Sequence, residues 1–207
     1  MVTAIRSSLY KDQPAVTLET DQMAAQFLPR AGGGLCSLVY RPLGLELMVQ
    51  RPWERYRLGP YDGDYVAEGE CAGMDDMFPT IDRCFYDLEP WRGTPIPDHG
   101  EVWSLPWDAS TEGETLHLST HGVRFPYRLE KRVSFSRPGV LKIAYRLINL
   151  SGFKFYFLWA AHPMFVLEEG ARLMLPEGTH KAVVTFTLTG EMGRYGDELD
   201  WPIATLP

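Results

Sequence analysis

Cysteine is scarce in this chain: three in 207 residues, Cys36, Cys71 and Cys84, with no C-x-x-C pair among them. An odd number in unlike contexts excludes a disulfide framework and offers no structural zinc spacing, so buried free thiols are expected. Long apolar runs are lacking too. The longest nearly uncharged one, Phe155 to Phe165, falls far short of the ~20 residues a bilayer requires, and His162 and Pro163 interrupt it. No membrane partner is expected. Charge of one sign never runs beyond three residues, and 20 basic against 27 acidic residues leave a net charge of −7, which excludes an electrostatic nucleic-acid binder. Met1 to Tyr10 has no apolar stretch of signal-peptide length, so a cytoplasmic protein is expected. G-x-S-x-G, P-loop and dinucleotide fingerprints are all missing, which leaves serine hydrolase, NTPase and Rossmann readings without support.

Turn residues, by contrast, are plentiful, with 19 glycines and 16 prolines spread along the chain rather than gathered into a linker. Between them apolar residues recur with period two. Val16 and Leu18, Leu35 and Val39, Tyr127 through Phe135, Leu141 through Leu147, and Val184, Phe186 and Leu188 each mark a half-buried strand. Lys154 to Ala161 is apolar on both alternating faces and reads as a central strand covered on each side. No segment of helical length is amphipathic, and no solenoid repeat occurs. The fold class is therefore all-β: a large antiparallel β-sandwich forming one domain over residues 1–207, with Ile143, Leu147, Phe155, Phe157 and Phe186 in its core. Arg51 to Trp107 differs, with weak alternation and four of the six tryptophans. Such long loops usually serve function, and this one is expected to help build a pocket.

Three stretches could carry chemistry. Asp98-His99-Gly100-Glu101-Val102-Trp103 sets an imidazole among carboxylates and an indole; histidine titrates near neutrality, and indole faces suit sugar rings. The same residues also suit a structural turn in which His99 caps a loop. Trp159-Ala160-Ala161-His162-Pro163 places a histidine after the most apolar segment, where proline stiffens the backbone; a satisfied core histidine is the competing reading. Glu68 to Asp82 includes Asp75-Asp76, which lacks hard-metal spacing and is better read as a solvated loop or an acceptor for ligand hydroxyls. No metal is expected.

Together with the turn Pro29 to Leu35, the stretch Gly73-Met74-Asp75-Asp76-Met77-Phe78-Pro79-Thr80 and the two histidine motifs resemble the aldose 1-epimerase (galactose mutarotase-like) family over about residues 15–176. The resemblance implies a supersandwich whose concave sheet face binds a sugar and interconverts its anomers, with no cofactor. A glutamate base takes the anomeric hydroxyl proton while a histidine acid protonates the ring oxygen. By motif position His162 resembles that acid and His99 the second catalytic histidine. Asp76, Trp103 and Trp159 fall beside the matched motifs and are expected to bind the substrate. The family's C-terminal glutamate has no matched position here, which keeps a non-catalytic carbohydrate-binding module as the alternative.

Overall fold

The computed structural model describes residues 4–187 and 189–203, and the chain divides into two compact units, Met1–Val166 and Leu167–Pro207. In the first unit the strands are β1 (Ala4–Tyr10), β2 (Gln13–Glu19), β3 (Met23–Leu28), β4 (Gly34–Tyr40), β5 (Leu45–Glu46), β6 (Met74–Met77), β7 (Cys84–Phe85), β8 (Pro95–Ile96), β9 (Asp108–Glu112), β10 (Thr115–His121), β11 (Tyr127–Arg137), β12 (Val140–Asn149) and β13 (Ala160–Pro163). One four-residue helix, α1 (Tyr65–Glu68), interrupts the long loop between β5 and β6. In the second unit β14 (Lys181–Val183) pairs with β15 (Glu198–Asp200).

The architecture is the all-β sandwich expected. Seven strands form one sheet in the order β1-β2-β3-β4-β6-β13, with β5 paired to β4, and a second sheet runs β12-β11-β10-β9. Every pairing within these two sheets is antiparallel. Alternation explains the layering. Leu18, Ala25, Phe27 and Leu35 from the first sheet meet Leu116, Leu118, Leu129, Val133 and Phe135 from the second, all buried in one cluster. Burial of the apolar half of each strand, at roughly 25 cal/mol per Å² removed from water, drives the two sheets together. Ile143, Leu147 and Phe155 pack against this cluster as partly buried neighbours.

Two core assignments need correction. Phe157 is 47% exposed and Phe186 71% exposed. Residues 154–159 form no strand, and the strand that follows, β13, has its one hydrogen-bonded neighbour among the described residues in β6. An apolar run that reads as doubly covered thus lies at the sheet's rim, with Tyr156, Leu158 and Trp159 also exposed. Periodicity reports apolar faces but not whether a layer covers them. The alternation at Val184 to Leu188 gives β14 a few residues earlier, at Lys181–Val183, while Leu188 lies outside the described residues. Of the three free cysteines, Cys36 and Cys71 are buried as expected and Cys84 is exposed. Among the described residues no helix is long and apolar enough to cross a membrane.

Candidate functional site

The pairing of β6 with β13 builds the site. Asp75 lies directly opposite His162, and Asp76 opposite Ala161. Because successive side chains of a strand point to opposite faces, Asp75 and His162 share one face of the sheet while Asp76 takes the other.

His99 arrives on the same face from the loop between β8 and β9. Gly100 bridges to Phe78 at the end of β6, and the Glu101 N–H donates to the Phe78 carbonyl at 2.7 Å. That close approach requires glycine at position 100: its φ is +77°, and a Cβ there would lie 2.1 Å from the Phe78 oxygen. His99 itself has φ +57°, a left-handed conformation uncommon for a residue with a side chain. Its Nδ1 lies 2.9 Å from Asp98 Oδ1, which fixes the ring. The rings of His99 and His162 are 5.3 Å apart between centroids, tilted by 40°. His162 Nδ1 is buried and has no hydrogen-bond partner among the described residues.

Tyr65, the first residue of α1, lies against both histidines. Its ring stacks on His99 at 4.1 Å with 13° between planes and stands 5.5 Å from His162. Its hydroxyl donates to Asp75 Oδ2 at 2.8 Å, and its backbone N–H donates to Asp98 Oδ2 at 3.0 Å. Trp103 meets the same ring edge-on at 5.1 Å and donates its indole N–H to the Asp98 carbonyl at 2.9 Å. Tyr65, Cys71 and Trp103 form a small buried cluster of their own. Trp103 is therefore an underlying support of the histidine pair.

Asp76 and Trp159 sit apart from this group. Asp76 Oδ2 accepts from Lys131 Nζ of β11 at 2.8 Å, joining the two sheets inside the sandwich. Trp159 is 41% exposed, donates to Asp76 Oδ1 at 3.3 Å and packs on Tyr145 at 4.7 Å. Of the five site residues expected from sequence, the structure gathers His99, His162 and Trp103 into one group and places Asp76 and Trp159 across the sheet. Tyr65 and Asp75 complete the histidine group. Tyr65 carried no periodic signal, since its helix is four residues long; Asp75 could have been separated from Asp76 only by knowing which face of β6 is covered. Among the described residues no grouping of three or more His, Cys, Asp and Glu side chains could hold a metal ion.

Electrostatics follow from burial. Desolvation pushes the Asp75 carboxyl up to about 6, against the opposing effect of the Tyr65 hydroxyl. Burial, and then the nearby charge of His99, holds His162 below the ordinary imidazole value of 6.5. A carboxyl raised on folding contributes stability that is complete below its unfolded value of 3.8 and is lost as pH rises through about 6. A depressed histidine does the opposite: its contribution is present above 6.5 and is lost as pH falls. Asp75→Asn removes the first effect alone. Its unfolding free energy should match that of the parent most closely near pH 4 and gain on it up to pH 7, by roughly 3 kcal/mol at full extent. Urea unfolding at pH 4, 5, 6 and 7 measures the gap, and a gap constant with pH would count against the assignment.

No family model matches the chain, and no curated protein matches it. Solved structures do. The Slr1438 protein from Synechocystis sp. PCC 6803 is 18% identical with a TM-score of 0.57, over 78% of this chain and 58% of that one. A 4-alpha-glucanotransferase from Thermococcus litoralis is 17% identical with a TM-score of 0.46, over 71% of this chain and 24% of that one. The Slr1438 likeness is one of fold, and the present chain spans 58% of that protein's length.

Proposed function

We propose that this chain is an aldose 1-epimerase-like protein that binds a free sugar at the His99–His162 pair. The observation that carries the reading is the pair itself: two half-buried imidazoles 5.3 Å apart on one sheet face, one with a buried nitrogen that has no partner among the described residues. A buried polar atom of this kind finds its partner in a ligand or in water, and a sugar hydroxyl or ring oxygen supplies the matching group. His162, held below 6.5, is largely neutral at pH 7; its protonated fraction gives a proton to the ring oxygen as a hemiacetal opens, and the neutral ring retakes it as the hemiacetal closes.

The base is weaker in this site than the acid. Asp75 and Asp98 are both engaged with Tyr65, and Asp98 also with His99, so neither offers an uncommitted carboxylate to an anomeric hydroxyl. That observation favours sugar binding with slow turnover. Polarimetry on freshly dissolved α-D-glucose and α-D-galactose tests it. A modest acceleration over buffer is expected, and His162→Ala should abolish whatever acceleration exists, since a general acid typically contributes 10²–10⁴-fold. Binding of neither sugar at millimolar concentration, followed by NMR, would refute the reading. Turnover that survives His162→Ala would remove the acid assignment.

A further inference from the structure

Tyr65 is tied to more of the site than any other side chain in it. A four-residue helix has no stability of its own, so α1 is held by its contacts. Asp64 caps it, accepting from the Ala67 N–H at 2.8 Å, while Glu68 reaches back to accept from the Asp64 N–H at 2.8 Å. Beyond those caps, Tyr65 connects three separate segments: the His99 loop through Asp98, His99 and Trp103, strand β6 through Asp75, and strand β13 through His162. Its hydroxyl is satisfied by a carboxylate buried in the sheet face, although an apolar pair would fill the same space without desolvating a charge. His99 holds a left-handed backbone conformation that persists only where its surroundings over-determine it, and the stacked tyrosine ring is one of those surroundings.

From this geometry we infer that Tyr65, tethered by Asp75, is a positioning residue of the site: its ring sets the spacing and tilt of the two imidazoles so that one hydroxylated ligand meets both. The inference rests on the sugar-site reading for its ligand, but not for the geometry it assigns. Tyr65 touches no substrate atom in this role. It acts through His99 and His162, and Asp75 acts through Tyr65.

Long-range ¹H–¹⁵N NMR titration of the two imidazoles, combined with D-galactose binding followed by the same spectra, tests the inference. In Tyr65→Leu the His162 titration should move up toward the ordinary imidazole value and galactose affinity should fall tenfold or more. In Asp75→Asn the amide oxygen still accepts from the Tyr65 hydroxyl, so the His162 titration should be retained and affinity should stay within twofold. That rescue separates positioning from a general requirement for the carboxylate. If Tyr65→Leu does not fold, as judged by spectral dispersion, Tyr65→Phe decides: it keeps the ring and loses the tether, and a partial upward shift of His162 with at least threefold weaker binding is expected. Wild-type titration of His162 in the folded tyrosine variant would overturn the inference. Should the parent protein bind no galactose while the titrations shift as described, the sugar reading falls and the positioning role stands. Should galactose bind parent and variants equally, the reverse holds.

Discussion

Replacing Lys131 with methionine should cost about 3–5 kcal/mol of stability, the usual penalty for stripping one partner from a buried ion pair. Lys131 and Asp76 have side chains 2% and 1% exposed, their charged atoms are 2.8 Å apart, and the ammonium also donates to the Gly33 carbonyl at 2.6 Å beneath the Trp107 ring. Removing the ammonium leaves a carboxylate in the sandwich interior, where the Trp159 indole N–H donates to it at 3.3 Å. Denaturant unfolding measures the loss. The double variant Lys131→Met with Asp76→Leu should recover most of it, because an apolar pair of similar volume often equals or exceeds a buried ion pair. A loss below about 1 kcal/mol in the single variant would mean that water reaches Asp76.

Glu101→Ala should be comparably severe. The side chain is fully buried and accepts from the hydroxyls of Tyr61 at 2.7 Å and Tyr127 at 2.8 Å, and from the backbone N–H groups of Arg124 at 2.8 Å and Val123 at 3.3 Å. Each donor left without an acceptor costs about 1–3 kcal/mol, so four together threaten a fold whose total stability is of order 5–15 kcal/mol. Glu101→Gln keeps one acceptor oxygen and should cost less than half as much. Thermal unfolding of both variants gives the comparison, and equal melting temperatures would show that the network relaxes around the change. Two residues from His99, Glu101 also anchors the histidine loop to the turn that precedes β11. Ligand affinity should therefore fall with stability.

How much of this was legible in the sequence depended on whether the signal was periodic or conformational. The antiparallel layers were legible because Tyr127 to Phe135 and Leu141 to Leu147 alternate through two long strands that pair along their length. His99 and His162 stood out by their neighbours, glycine in one case and proline in the other. What failed was coverage. Phe157 is as apolar as any core residue, but nothing local distinguishes a strand between two layers from a segment at the rim. Glu101 looked like one more carboxylate of a site-like loop, and only the fold brings Tyr61, Arg124 and Tyr127 around it. Tyr65 was invisible for a similar reason: its partners lie 10, 33, 34 and 97 positions away in Asp75, Asp98, His99 and His162, and no window of sequence spans them.

The two adjacent aspartates of β6 serve opposite sides of one sheet, Asp75 beneath the histidine pair and Asp76 in the ion pair that joins the layers. Deleting or inserting a single residue in this strand would exchange them, sending each carboxylate to the face built for the other. Substitutions here can be absorbed one face at a time, whereas a change of length strikes the interior and the histidine face in the same event. Changing the chemistry of one face thus leaves the other in place, whereas changing the count of residues between Gly73 and Phe78 disturbs both at once.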